Sequence, residues 1–221
     1  MDGPIAVVGA GGQGRETASL LVECEIAGRG LGPLAGFIDD DLALVGALVG
    51  GLRVLGSIRE IPSNIQQLVL GLGYPELKWR VVQRLRNLPL QWPSAVHPCS
   101  SIGRRAVIAR GSFIQAGTVL TTDVHVGEFV TVNIGAMVSH DCVLGDFATI
   151  SPRAALAGRV IVGEGAFVGI GASIHQGVCV GAWSVIGAGA VVIRDVEPQT
   201  VVVGVPARVI ARRAEGWWRH A

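Results

Sequence analysis

Two hydrophobic periodicities divide the chain. From Ile102, every sixth residue is aliphatic as far as Val192, giving sixteen successive positions that are all Ile, Leu or Val. If roughly a third of residues were of these types, chance would give such a run about once in tens of millions of trials. Four residues after each aliphatic comes a small or β-branched residue, from Ala106, Ser112, Thr118 and Val124 through to Ala190. Fifteen glycines lie between 102 and 197, and fourteen fall either one or three residues after the aliphatic. Gly158 alone is out of phase. A six-residue period with glycine at fixed corners predicts short strands joined by tight turns.

The first ~90 residues follow a different pattern, with apolar runs alternating with helical spacing. Pro4–Val8 reads as a buried strand, followed by Gly9-Ala-Gly-Gly-Gln-Gly14 and a helix over 15–24. Leu34–Ile38 reads as a second strand ending at Asp39-Asp40-Asp41. Ser57-Ile-Arg-Glu60 has the form of a capping box and predicts a short helix. Gln67–Leu72 reads as a third strand, with Gly73 after it and a helix over about 75–86. Alternating strands and helices imply a small α/β domain, a Rossmann-like parallel sheet covered on both faces. The expected division is 1–88 for this domain, 89–101 for a linker, 102–200 for the repeats and 201–221 for a C-terminal tail.

Composition narrows the function classes. Of 221 residues, 32 are glycine and only 16% are charged, with a net charge of +1. Lys78 is the single lysine among 18 basic residues. The lack of a basic excess argues against a nucleic-acid surface. No apolar stretch reaches the ~18–20 residues of a membrane span, and the start lacks the basic region of a secretory signal. The four cysteines are far apart without a CxxC pair, which suits a reducing cytoplasm and disfavours a zinc site.

Two groups of residues carry candidate chemistry. The Gly9-x-Gly11-x-x-Gly14 motif sits between a strand and a helix, where backbone N–H groups can approach phosphate oxygens. Some 90 residues are too few for both halves of a dinucleotide domain, so a nucleotide or its sugar suits the site better than NAD or FAD. Alternatively, the glycines only make a tight turn and the aspartates only end a strand. In the repeats, His140 lies in Val138-Ser-His-Asp-Cys142, with Asn133 seven residues earlier. A histidine titrating near neutrality can act as general base, and the acidic neighbour Asp141 can fix its tautomer. With 18 residues per coil, Gly158 stacks over His140, and its missing side chain leaves space for a ligand. Cys142 occupies an inward hexad position and reads as a small core residue. A column of Phe129, Phe147, Gly165 and Trp183 suits corner packing, a subunit contact or a site near an adenine.

The hexads resemble the left-handed parallel β-helix of hexapeptide acyltransferases. Val8–Arg15, Gly36-Phe-Ile-Asp-Asp-Asp41, Gly71-Leu-Gly-Tyr74 and Gly204-Val-Pro-Ala207 extend the resemblance over nearly the whole chain, to bacterial acetyltransferases acting on sialic acid or on nucleotide-linked amino sugars. The resemblance implies acetyl-CoA as co-substrate, no metal, a homotrimer with active sites between subunits, and direct attack on the thioester. It assigns His140 as base, Asp141 as its acidic neighbour and Asn133 as an active-site asparagine. Gly158, Ile170 and Ala188 match coenzyme positions. Gly11, Gly12, Gln13, Gly14, Asp39, Asp40 and Gly73 match the nucleotide-sugar pocket. One departure is Thr149, which stands where members often have a second histidine.

The sequence therefore favours N-acetylation of a nucleotide-linked amino sugar, with O-acetylation of sialic acid or a related sugar as the alternative. A β-helical zinc carbonic anhydrase needs three converging histidines. His125, His140 and His175 occupy different 18-residue columns. A non-catalytic trimeric scaffold leaves the concentration of His140, Asn133 and Gly158 unexplained.

Overall fold

A computed structural model describes residues 3–220. The N-terminal part is a five-stranded sheet in the order β3-β4-β2-β1-β5. Its strands are β1 (Ile5–Val8), β2 (Leu34–Ile38), β3 (Leu48–Val49), β4 (Leu52–Gly56) and β5 (Gln67–Leu70). Helix α1 (Gly12–Ile26) follows β1, and α2 (Pro75–Leu85) follows β5. β1 pairs in parallel with β2 and β5, and β2 with β4. All four residues of β1 are buried, as expected of a central strand covered on both faces. Ile5 and Val7 pack with Leu20, Leu21 and Cys24 of α1, whereas Ala6 and Val8 face Leu85 of α2.

Two local expectations change. Residues 57–60 form a turn and not a helix, although the Ser57 hydroxyl does accept a hydrogen bond from the Arg59 N–H at 3.2 Å. Pro62 lacks an N–H and drives Ile61 towards extended backbone, so a helix cannot propagate. The β3–β4 hairpin was not anticipated. Gly50 and Gly51 turn it with φ of 56° and 83°, the left-handed pair that a two-residue hairpin turn requires.

From Ala95 onwards the chain winds into a parallel β-helix of three faces. Successive two-residue strands fall in turn on a first face (Ala95–Val96, Phe113–Ile114, Thr131–Val132 and so on), a second (Ser101–Ile102, Val119–Leu120, Met137–Val138) and a third (Val107–Ile108, His125–Val126, Val143–Leu144). The register is 18 residues: Val119 pairs with Met137, and Met137 with Ala155. The hexad aliphatics and the small residues four positions later fill the prism interior and are almost all fully buried. Few aromatics are needed because the interior is narrow.

The two glycine phases have different physical causes. All fifteen residues three positions after an aliphatic, from Arg105 to Gly189, have φ between 56° and 74°. Seven of them are glycine, and eight bear side chains in the left-handed region, at a cost of roughly 1 kcal/mol each. Glycines one position after the aliphatic relieve crowding instead. A Cβ on Gly145 would lie 2.6 Å from the Glu164 nitrogen of the next coil.

The sheet domain docks on the first face. Thr149 Oγ1 donates to the Gly73 carbonyl at 3.0 Å, and Tyr74 stacks on Phe167 at 5.8 Å. Phe129 and Phe147 are buried and stack on each other, with Trp92 edge-on to Phe129, so this part of the aromatic column packs within the chain. At the C-terminus, Thr200–Val203 extends the first face and pairs antiparallel with Arg208–Arg212. The tail ends in a short helical turn, Trp217–Arg219. There Trp218 stacks on Trp183 at 4.3 Å, and the turn packs on α2.

Candidate active site

His140 and Asp141 occupy the edge where the second face turns into the third. The left-handed conformation of Asp141, φ 59°, places its carboxylate beside the preceding imidazole. His140 Nδ1 lies 2.7 Å from Asp141 Oδ2. A carboxylate only accepts, so this contact favours the neutral tautomer with the proton on Nδ1 and the lone pair on Nε2. Both side chains are about half exposed, at 46% and 52%. The imidazole is thus oriented by its neighbouring carboxylate and accessible from outside.

The space left by the missing side chain of Gly158 is occupied by the His140 ring itself, because a Cβ there would overlap Nε2 and Cε1. Gly158 is not in the left-handed region, so steric room and not backbone conformation calls for glycine here. At Gly165 both causes apply, because its φ is 61° and a Cβ would also strike the Trp183 indole.

The flanking charges are paired locally. Arg105 Nε and Nη2 donate to Asp123 at 2.5 and 2.6 Å, and this hydrogen bonding holds the Asp123 carboxyl below its usual range. Asp141 is thereby left to the histidine. Cys142 is fully buried and donates to the Ala157 carbonyl at 3.1 Å. Burial pushes its thiol pKa up, which suits a core residue and not a nucleophile.

The remaining candidates of the β-helix lie elsewhere. Asn133, Ile170 and Ala188 sit on the edge between the first and second faces, one edge away from His140. That edge is shallow: a Cβ added at Gly171 or Gly189 meets nothing within 4 Å, and Ile170 is 60% exposed. The outward positions of the second and third faces hold no Asp, Glu, Lys or Arg, and the third face carries His125 among them. They include Met137, Val107, Val143 and Ile161, all exposed.

At the carboxyl ends of β1, β2 and β5 lies a cleft of about 510 Å³. Asp39 and Asp40 line it, together with Gly9 and Leu72. Asp39 accepts from the Ala10 N–H at 2.7 Å and the Asp41 N–H at 2.9 Å, so it also clamps the glycine loop to the end of β2. Asp40 accepts from the Ile58 N–H and faces Arg84 at 3.4 Å. The glycines divide: Gly11 and Gly12 are open to ligand, whereas a Cβ on Gly14 would strike the Gly9 carbonyl oxygen. Gln13 reaches towards Gly73, and its buried Nε2 lacks a partner among the described residues. Gly11, Gly12, Gln13, Gly14 and Gly73 adjoin the cleft through Gly9 and Leu72 but do not line it. Sequence reasoning missed the opposite wall, which α2 supplies with Trp79, Arg80, Gln83 and Arg84. The available signal was Arg80 and Arg84, four residues apart and so on one helical face. Among the described residues, no three His, Cys, Asp or Glu side chains are grouped to hold a metal ion.

Comparison with known proteins supplies the context. No family model and no curated protein matches the chain. Solved structures do. PerB from Caulobacter crescentus, in complex with CoA and GDP-perosamine, is 30% identical over 95% of this chain and 98% of its own, with a TM-score of 0.84. A histidine-to-alanine mutant of GDP-perosamine N-acetyltransferase from the same organism, in complex with the same two ligands, gives 29% identity, coverage of 95% and 97%, and a TM-score of 0.86. The acetyltransferase domain of PglB from Neisseria gonorrhoeae, in complex with acetyl coenzyme A, is 28% identical over 95% of this chain and 100% of its own, with a TM-score of 0.84.

Proposed function

Because the chain belongs to the bacterial hexapeptide-repeat acetyltransferases of nucleotide-linked amino sugars, we propose that it N-acetylates such a sugar from acetyl-CoA, with His140 as general base. Acetyl-CoA supplies an acyl thioester when bound. The sugar amine attacks the thioester carbonyl, His140 Nε2 takes the proton that the amine loses, and as the carbon–sulfur bond breaks the imidazolium returns that proton to the departing sulfur, releasing CoA as the thiol and restoring the neutral base. Asp141 holds the protonated Nδ1 and stabilises the imidazolium that forms. No acyl-enzyme is required.

The observation that carries this reading is the His140–Asp141 pair with Nε2 seated over the one out-of-phase glycine. Ile170 and Ala188 suit a coenzyme groove because the edge around Gly171 and Gly189 is open, whereas Asn133 on the same edge is buried. Arg84 already faces Asp40 at 3.4 Å, so Arg80 is the cleft cation most available to an anionic nucleotide sugar, which favours such a substrate over a free sugar as acceptor.

The topology also bears on assembly. The sheet domain covers the first face, and His140 lies on the edge opposite that face. One chain therefore keeps its base away from its own nucleotide cleft. A homotrimer, which the resemblance implies, would let a neighbouring subunit bring its Asn133–Ile170 edge to the His140 edge. Four unpaired cysteines suit a reducing compartment, and no helix among the described residues is long and apolar enough to cross a membrane.

His140→Ala tests the assignment. Turnover falls by about 10²-fold or more while the oligomeric mass is unchanged. Near-wild-type turnover removes His140 as base.

A further inference from the structure

Lys78 is the only lysine of the chain and is 0% exposed. It projects from α2 across the boundary between the sheet domain and the first face. Its Nζ donates to the Phe129 carbonyl at 2.9 Å, to the Ala148 carbonyl at 3.1 Å and to Thr131 Oγ1 at 3.3 Å. Three acceptors match the three N–H bonds of an ammonium. Burial drives the pKa of this amine well below its usual value, with the Glu76 carboxylate opposing the shift. An ordinary interface would fill such a position with an apolar residue, because an ammonium is expensive to desolvate. A buried amine with three fixed oxygen partners specifies one geometry where apolar packing would tolerate several.

That geometry reaches the cleft. At about 100° per residue, Arg80, Gln83 and Arg84 point within about 60° of the direction opposite Lys78. Pro75 and Leu85, the other buried residues of α2, share the Lys78 side. Arg80, Gln83 and Arg84 are also the polar α2 residues lining the cleft. With Lys78 engaged on three β-helix oxygens, the helix cannot rotate without breaking those bonds. The Gly73–Thr149 hydrogen bond and the Tyr74–Phe167 stack hold the preceding loop to the same face.

We propose that Lys78 is a positioning residue that locks the rotation of α2 against the β-helix and so aims Arg80, Gln83 and Arg84 at the nucleotide diphosphate. The inference rests on the reading of the cleft as a nucleotide-sugar site. It goes further by placing part of the control of substrate affinity in the interface between the two parts of the chain. Lys78 touches neither substrate, and its effect is transmitted through α2.

The test compares wild type with Lys78→Met, which keeps the apolar stem and removes the donors. Binding of UDP, GDP and dTDP to wild type is measured first by calorimetry. If none binds, the cleft reading fails and the proposal falls with it. If one binds, Lys78→Met is expected to weaken it by about tenfold or more, with acetyl-CoA affinity changed by less than about twofold. Equal loss of both affinities, or no loss of either, overturns the proposal. A second measurement keeps the question open to refutation if the variant does not fold. In wild type, Lys78 is the only side-chain amine, so a succinimidyl ester followed by peptide mass spectrometry reports opening of this interface alone. The nucleotide that binds, at about 100 times its Kd, is expected to slow Lys78 labelling by about tenfold or more. Labelling at an unchanged rate contradicts the proposal.

Discussion

Gly158→Ala isolates the geometry of the base from its chemistry. A methyl at 158 would lie 2.5 Å from His140 Cε1 and closer still to Nε2. Carbon atoms settle near 3.5–4.0 Å, so the ring must move by roughly 1 Å. Backbone strain adds nothing, because Gly158 is not in the left-handed region. His140 is about half exposed and can turn away at a cost of about 0.5–1.5 kcal/mol in off-rotamer strain. The stability effect is therefore small, and Tm should fall by only a few degrees. The catalytic effect is large, since a misplacement of about 1 Å can cost about 10²-fold. The assay is steady-state thiol release from acetyl-CoA for wild type, Gly158→Ala, His140→Ala and the double variant. If Gly158 acts through His140, the double variant is no slower than His140→Ala alone. Two results would refute the reasoning. One is wild-type kcat in Gly158→Ala. The other is a further loss when the alanine is added to His140→Ala, which would mean that Gly158 serves the coenzyme directly.

Other substitutions probe the remaining parts of the site. Asp39→Ala removes the acceptor of two backbone N–H groups and should cost about 1–3 kcal/mol by chemical denaturation. It should also weaken nucleotide binding by calorimetry while acetyl-CoA binding stays intact. Met137→Glu places a charge on the uncharged second face, and light scattering should then show smaller assemblies that have lost turnover but still bind nucleotide. Burial lowers the pKa of Lys78 in the folded chain, so the unfolded chain binds more protons between that lowered value and about 10.4. Stability relative to Lys78→Met should therefore rise with pH across this window, and a flat or falling difference in denaturation free energy would speak against a buried titrating amine.

The β-helix was legible because its rule repeats. Sixteen aliphatics at one interval cannot be satisfied by another element, and the 18-residue register follows directly from three hexads. The conformational phase was only half visible. Glycine marked seven left-handed corners, while Asp141, Phe129 and Trp183 adopt the same backbone without advertising it. Local propensity misled at 57–60, where a capping box precedes Ile61-Pro62. The stacking of Gly158 on His140 came from arithmetic alone, but whether a ligand or the ring fills the gap depends on a rotamer. Asn133 and His140 were grouped as one region because they are seven residues apart. Seven residues is one hexad and one step, which moves to the next edge of the prism. Nothing in the periodicity says which face the sheet domain covers. The one hint of Lys78 was its solitude among arginines, and only the docked structure shows why an extended ammonium is used at that point.

Incubating the purified protein with acetyl-CoA and a panel of UDP-, GDP- and dTDP-linked 4-amino sugars, with thiol release and product mass followed together, decides whether it acetylates a nucleotide sugar. The account predicts that at least one of them gains the mass of a single acetyl group in step with the thiol released, and that His140→Ala slows both by about 10²-fold or more. Thiol release without acetylation of any nucleotide sugar, or acetylation that persists at the wild-type rate in His140→Ala, would contradict it.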